Sequence, residues 1–522
     1  MNLIERAVLA FDKNPKKVAI IDQKGRAIKY KKLKRKIEEC SNVLKKIGIK
    51  KGDQVYVLVD VSIDLYILLP AIFKVGAIAV FVDPWADKHY INSCLKSVSP
   101  QFLIYTRKAL LIIPLVREMR KIPNKYSINK IIRLMEKYNR ATQDTFTVEP
   151  TNDHDTALIT FTTGSTNIPK GFNRTHEFLL AQQNAHEKYY NHHENDIDLV
   201  IFPIFVLSNL ATGLTSVLID APLKKINKIN PLKIINQIIK YNVNSITCSP
   251  AHISSIIDHA NKKNYIFPKL KKFFTGGAPV NPEIFKQLST IFPNAEKYLV
   301  YGSTEAEPIA MIESKTVIEA DPKLGTMLGR VVDGIEWQVI PVIKESIKTK
   351  PTPLKQNEIG EIILTGAFVG KHYYKNDQAF KENKIIDIDN KIWHRTSDIG
   401  YFDESGILYM VGRRNSIILE HELVQYPLKA ENILDTHPLI KKSAYFQYNT
   451  TKKQSAIVLC LKKKISKDQS KKLENEVLEI LKKHDIYPHK LFFTKNIAMD
   501  KRHNSKIDYY KLSKKYSKDI SK

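Results

Sequence analysis

Ala157-Leu158-Ile159-Thr160-Phe161-Thr162-Thr163-Gly164-Ser165-Thr166-Asn167-Ile168-Pro169-Lys170-Gly171 is the stretch on which the reading of this chain turns. Its first five residues form an apolar run that predicts a buried strand. The following ten gather hydroxyls, two glycines and one lysine into a short loop. A strand feeding such a loop offers backbone N–H groups, hydroxyls and an ammonium to an anion, the chemistry needed to hold a polyphosphate. The string is not a Walker A loop, because Pro169 and Lys170 precede the second glycine and no Gly-Lys-Ser/Thr order occurs. A polar turn between strand and helix is the plain alternative, but it would not require this ordered sequence.

Outward from that stretch, short apolar runs alternate with helical patterns. Strands are expected at Val18–Asp22, Val55–Val59, Ala77–Val82, Phe102–Tyr105, Leu199–Phe202, Ser245–Cys248 and Lys272–Thr275. Such alternation predicts an α/β fold with parallel sheets covered by helices. Gln338–Ile340 and Gly360–Leu364 suggest a smaller β-rich part. The character changes after Gly412. We expect residues 1–411 to form a large N-terminal domain, 412–415 a hinge, and 416–522 a small α+β C-terminal domain.

The chain has 522 residues, with 82 Lys+Arg against 54 Asp+Glu and a net charge of +28. That balance suits phosphate-rich ligands, anionic membranes or nucleic acid. The lysines are spread along the chain, however, and no zinc-finger, RNP or homeodomain pattern accompanies them, so no nucleic-acid partner is expected. The four cysteines, Cys40, Cys94, Cys248 and Cys460, form no Cys-x-x-Cys pair, which argues against a metal or redox motif. Scattered thiols and the lack of a signal-peptide core near Met1 lead us to expect a cytoplasmic protein. The most apolar run, Leu65–Val82, is broken by Pro70, Lys74 and Gly76 and reads as core helix then strand. Peripheral membrane or pathway-enzyme contact stays open.

The opening string resembles the phosphate loop of the adenylate-forming enzymes, a superfamily of acyl-CoA synthetases, luciferases and peptide-synthetase adenylation domains. Asn167 stands where that family has glycine; Asn is the non-glycine residue that best tolerates positive φ. The resemblance implies an ATP and Mg²⁺ enzyme in which Thr162, Thr163, Gly164, Ser165, Thr166 and Lys170 hold phosphate. It continues in order along the chain. Gly276-Gly277-Ala278-Pro279 would let backbone approach the nucleotide and acyl group. In Tyr301-Gly302-Ser303-Thr304-Glu305, Tyr301 would stack on adenine with Gly302 and Ser303 lining the adenylate. Thr304 would meet the α-phosphate and Glu305 would ligate the metal. In Trp393-His394-Arg395-Thr396-Ser397-Asp398, Ser397 replaces a family glycine and Asp398 would accept the ribose hydroxyls. Gly412-Arg413 matches the hinge signature, with Arg413 contacting ribose or phosphate and Asn415 at the pivot. Near the C-terminus, Lys506 would swing onto the acyl carboxylate and α-phosphate.

Two details bear on the branch. Acyl-CoA ligases carry a glycine just after the hinge that lines the pantetheine passage, whereas Ile417–Pro427 contains neither glycine nor arginine. Asp500-Lys501-Arg502-His503-Asn504-Ser505-Lys506-Ile507 is similar to the corresponding segment of OleC-type β-lactone synthetases of bacterial olefin biosynthesis. That resemblance implies adenylation of a 3-hydroxy fatty acid followed by intramolecular attack of its hydroxyl. His176 is a candidate to help that proton leave, against the simpler reading of a helix-start packing residue. A CoA ligase with coenzyme A as acceptor, acyl transfer to a carrier protein, and a non-catalytic nucleotide binder are the alternatives. Phe202–Leu214 and Ser249–His252 are the expected walls of an acyl pocket.

Overall fold

The computed structural model describes residues 2–84, 86–138, 146–163, 169–222, 228–420, 423–449, 453–499 and 506–517. In it, the deciding strand spans Thr156–Thr163 and lies in a sheet ordered Asn124–Ser127, Phe102–Tyr105, Gln54–Leu58, Ile78–Phe81, Thr156–Thr163, Pro169–Thr175. Every neighbouring pair is parallel except the last. The phosphate-loop string is therefore not one loop. Pro169–Thr175 is a strand paired antiparallel to Thr156–Thr163, with Thr162 opposite Lys170 and Thr163 opposite Pro169. Proline at the start of an edge strand forfeits no needed ladder bond. Gly171 lies where a Cβ would stand 3.2 Å from the Phe161 ring, which keeps the hairpin tight.

A second sheet begins at Ala27–Lys29 and runs through Val18–Ile21, Thr215–Leu218, Ile197–Val200, Ser245–Cys248, Lys272–Gly276 and Glu296–Tyr301. From Val18–Ile21 to Glu296–Tyr301 it is parallel. Antiparallel strands then carry it through Ala310–Glu313, Thr326–Val331, Leu408–Arg413, Ile392–Phe402 and Gly360–Gly366 to Ile335–Ile340. The expected α/β fold with a smaller β part is what forms.

One apolar cluster joins the two sheets. It takes Ala19 and Ile20 from one, Val55, Val57 and Ala79 from the other. Between them sits the helix Ile63–Lys74, buried on nearly all faces, as a helix apolar all round must be. Lys74 ends it buried, with its ammonium 3.0 Å from Glu38 and donating to the Thr147 carbonyl at 2.7 Å. No helix among the described residues is long and apolar enough to cross a membrane.

The C-terminal part has its own sheet, Ile440–Asn449, Gln454–Leu461 and Lys490–Thr494. Its apolar clusters draw only on residues from Ile418 onward. The helix Pro427–Leu434 leans on the larger part, where Asn432 donates to the Thr326 hydroxyl at 3.1 Å.

Candidate active site

Parallel strands leave their carboxyl ends free for ligands, and two neighbouring ends meet here. Gly276 pairs with Val300, so close that a Cβ on Gly276 would stand 1.9 Å from the Val300 carbonyl oxygen. Gly277 follows at φ +80° with open space where a side chain would be, and Ala278 is half-exposed. Alongside, Tyr301 closes its strand and the chain turns sharply. The Ser303 N–H donates to the Ala306 carbonyl at 2.7 Å, and the Ser303 hydroxyl accepts from the Glu305 N–H at 3.2 Å. A Cβ at Gly302 would lie 2.6 Å from the Glu307 side chain, so glycine permits this turn.

The turn is fastened to the Thr156–Thr163 hairpin. Arg174 donates to the Thr304 carbonyl at 3.0 Å and to the Thr160 hydroxyl. The Glu305 carbonyl accepts from the Gly370 N–H at 2.7 Å, and its carboxylate accepts from the Tyr373 hydroxyl at 3.3 Å. Tyr374 in turn donates its N–H to the Gly171 carbonyl at 2.7 Å. Residues 370–374 thus bridge the hairpin and the Tyr301–Glu305 turn. Lys170 is buried, with its ammonium 3.2 Å from Glu382. Thr162 and Thr163 hold their place through backbone pairing with Lys170 and Pro169. Gly164, Ser165 and Thr166 lie outside the described residues.

Asp398 meets the turn from the antiparallel part. Its Oδ2 accepts from the Tyr301 hydroxyl at 2.6 Å and its Oδ1 from Arg413 Nε at 2.7 Å. Asp398 is buried, while the Arg413 side chain is 46% exposed and so faces open space. Burial, with Asp398 beside it, pushes the Tyr301 phenol well above its usual range. Ser397, where glycine was expected by family likeness, adopts φ +62°, the left-handed region glycine favours. Its N–H is held by Glu361 at 3.2 Å. The fully buried Glu361 carboxylate also accepts from Arg395 at 2.6 Å and from Arg414 at 3.1 Å. One carboxylate therefore anchors both the Asp398 turn and the residue after Arg413.

Lys506 stands on the C-terminal part, beside the Met499–Ile507 bridge and half-buried. Three residues on, the Tyr509 hydroxyl donates to Glu431 at 2.8 Å. His176 is placed elsewhere. It is 1% exposed, its Nδ1 accepts the Leu3 N–H at 3.2 Å, and its ring meets Phe73 edge-on. Burial lowers it to about 4. This is the placement of a packing residue beneath the N-terminal helix Leu3–Lys13, and it lends no support to the expected part in proton transfer.

Sequence reasoning missed three groups. Lys384 is fully buried and donates to the Gly370 carbonyl, with its ammonium 5.4 Å from the Tyr373 ring centre. Burial lowers it to about 7 against the opposing pull of Glu305. No motif marks Lys384, whose neighbours read as a solvated helix end. Glu307 accepts from Tyr190 at 2.5 Å and from His186 Nε2 at 2.9 Å, and His186 Nδ1 lies 3.1 Å from the Ser208 hydroxyl. His186, Gln182 and Ser208 line a narrow crevice whose other walls include Phe73, Leu179, Leu207 and Leu210. Part of the expected Phe202–Leu214 wall lines it; Ser249–His252 does not.

The family model described as AMP-binding enzyme matches residues 6–374. The chain is 27% identical over 490 residues to an olefin β-lactone synthetase of Xanthomonas campestris, covering 89% of this chain and 86% of that one. It is 26% identical over 528 residues to the olefin β-lactone synthetase of Stenotrophomonas maltophilia, covering 94% and 92%. Among solved structures, O-succinylbenzoate coenzyme A synthetase of Bacillus subtilis, in complex with ATP and magnesium ion, superposes with a TM-score of 0.78 at 19% identity, covering 98% of each chain.

Proposed function

The chain belongs to the AMP-binding enzyme family, and from that premise we propose that it converts a 3-hydroxy fatty acid to a β-lactone through an acyl adenylate. As an AMP-forming ligase it uses ATP. An oxygen of the substrate carboxylate attacks the α-phosphorus, the bond to the bridging oxygen breaks, and pyrophosphate leaves. The substrate's own 3-hydroxyl then attacks the activated carbonyl, its proton passes to water, and AMP departs as the four-membered ring closes. Acid plus ATP thus gives lactone, AMP and pyrophosphate. Because both reacting groups sit on one molecule, holding the hydroxyl over the carbonyl replaces an external nucleophile.

Family likeness divides the work among the site residues. The hairpin with Thr162, Thr163 and Lys170 would receive the phosphates, with Gly164, Ser165 and Thr166 completing it. Gly277 and Ala278 leave room beside Tyr301 for the adenine. Asp398 has lone pairs to spare for the ribose hydroxyls beyond those given to Tyr301 and Arg413. Thr304 would meet the α-phosphate, and the Lys506 ammonium would offset negative charge gathering there. Residues 412–415 would be the pivot between the large part and the 416–522 lid. The half-exposed Glu305 carboxylate, steadied by Tyr373, fits Mg²⁺, which takes one or two carboxylates together with phosphate oxygens. When bound, that ion would neutralise charge on the departing pyrophosphate.

The observation that carries this reading is the likeness to two olefin β-lactone synthetases over nearly their whole length. The segment after the hinge adds to it: the strands Ile418–Glu420 and Leu423–Gln425 pair as a hairpin, and the stretch 417–427 offers no glycine to a pantetheine arm. The test is product mass spectrometry with ATP, Mg²⁺ and a 3-hydroxy fatty acid, with and without coenzyme A. A product one water lighter than the acid, formed without coenzyme A, is the expected result. A thioester formed only with coenzyme A would make the protein an acyl-CoA ligase instead.

A further inference from the structure

Two consecutive 3-10 turns, Arg107–Leu111 and Ile113–Leu115, leave the end of the Phe102–Tyr105 strand. Ala109, Ile113 and Val116 anchor them in the core. Leu110, Leu111 and Leu115 do the opposite, standing 49%, 79% and 57% exposed. Pro114 is exposed among them and Ile112 is half-buried. A single exposed leucine needs no explanation, but a contiguous group marks a contact surface.

The rim is cationic. Arg107, Lys108, Arg117, Arg120 and Lys121 are all exposed, and the only acid in the same 107–121 stretch is Glu118. Glu118 is occupied by Lys121 at 2.8 Å, and Lys108 lies 3.9 Å from Asp60. Apolar knobs inside a ring of arginine and lysine match the boundary of an anionic bilayer, where phosphates meet the cations and acyl chains receive the leucines. A second copy fits less well, because it would bring the same cationic rim and the same +28 charge.

Position supports the same partner. Phe102–Tyr105, Gln54–Leu58, Ile78–Phe81 and Thr156–Thr163 run parallel side by side. The exposed turns therefore leave the same edge of the sheet as Thr162 and Thr163, about 14 Å away at ~4.8 Å per strand spacing.

We propose that Leu110, Leu111 and Leu115, with their arginine and lysine rim, dock the protein on an anionic lipid bilayer with that edge of the sheet toward the membrane. The inference does not depend on which acyl acceptor the reaction uses. It is tested by co-sedimenting the full chain with vesicles of phosphatidylcholine alone and with an equal part of phosphatidylglycerol. The expected result is binding to the anionic vesicles only, weakened by salt. Binding should fall about tenfold or more in Leu111→Ser/Leu115→Ser and in Arg117→Glu/Arg120→Glu. The exposed pair Lys463→Glu/Lys464→Glu, on the C-terminal part, makes the same charge change and should bind like the parent. Unchanged thermal melting confirms that the variants fold. No binding to anionic vesicles at low salt would overturn the proposal. So would equal loss in the Lys463/Lys464 control, which would assign binding to diffuse charge. Full binding by the leucine variant, or a dimer that this variant dissolves without any vesicle binding, would overturn it as well.

Discussion

The Tyr301 hydroxyl donates to Oδ2 of Asp398 at 2.6 Å, across 97 residues of chain. The bond ties the carboxyl end of the parallel sheet to the antiparallel part. With Arg413 on Oδ1, it fixes the Asp398 carboxylate before any nucleotide arrives. A carboxylate so held has a defined place for further donors. Asp398→Ala should therefore lower kcat/KM for ATP about 100-fold or more in ATP–pyrophosphate exchange, since two charge-assisted hydrogen bonds of roughly 1.5–3 kcal/mol each would be lost. Tyr301→Phe, which keeps the carboxylate, should cost about tenfold. Equal ATP kinetics in Asp398→Ala and parent would rule out the ribose role.

Glu361 is the anchor behind that arrangement, fully buried against Arg395 and Arg414. Breaking one side of a buried ion pair leaves uncompensated charge, costing about 3–5 kcal/mol. Glu361→Gln should unfold at markedly lower denaturant concentration. Any folded fraction should show raised KM for ATP, because one carboxylate oxygen becomes an NH₂ that faces an arginine donor and disturbs the turn carrying Ser397 and Asp398. Denaturant melts together with ATP titration check both halves of the expectation.

Much of this was legible in the residues. Phe102–Tyr105 and Ser245–Cys248 are short apolar runs bounded by turn residues, and both form strands as read. Tyr301, Asp398 and Arg413, scattered over more than a hundred residues, do converge. Pro169–Thr175 was hidden because Pro169, Gly171 and Asn173 have poor strand propensity, and an edge position tolerates them. Lys384 was invisible because local sequence cannot say that residues 370–374 will pass over it. For His176, packing and proton transfer ask for the same residue at a helix start, and only the Leu3 N–H on its Nδ1 separates them.

In the proposed reaction Lys506, half-buried on the C-terminal part, would offset the charge that gathers at the α-phosphate. Lys506→Ala should slow adenylation about 100- to 1,000-fold, the scale seen when one transition-state donor is removed. Its melting temperature should match the parent. Single-turnover release of pyrophosphate measures the step directly, and a rate within a few-fold of the parent would exclude the assigned role.

Placing His176 in the core gives a pH prediction. Its folded value, lowered by burial to about 4, lies below the free imidazole value of 6.5. The neutral form is the one the fold accepts. The contribution is present above pH 6.5 and is lost as pH falls toward 4, at most roughly 3 kcal/mol. His176→Gln should remove that part of the acid sensitivity while leaving the rate of lactone formation from the acyl adenylate nearly unchanged. Chemical denaturation at several pH values, alongside single-turnover lactone formation, separates this from a catalytic role, in which that rate would collapse.

Glu431 titrates in the opposite sense. Burial raises its carboxyl from 4.5 to about 7. Its Oε1 accepts from the Tyr445 N–H at 3.0 Å and the Tyr509 hydroxyl at 2.8 Å, while no partner for Oε2 is found among the described residues. The fold therefore favours the protonated acid. This stability is fully present below about pH 4.5 and is lost as pH rises through 7, roughly 3 kcal/mol in all. Glu431→Gln supplies a permanently neutral group of the same shape. It should flatten the decline in stability of the C-terminal part between pH 5 and 8 and raise stability at pH 8. The helix beginning at Tyr509 follows Lys506 closely, so the same variant should slow hydrogen exchange at Tyr509–Ser517 at pH 8. A variant that instead melts earlier than the parent at pH 8 would show that the ionised carboxylate, not the acid, is what the fold holds.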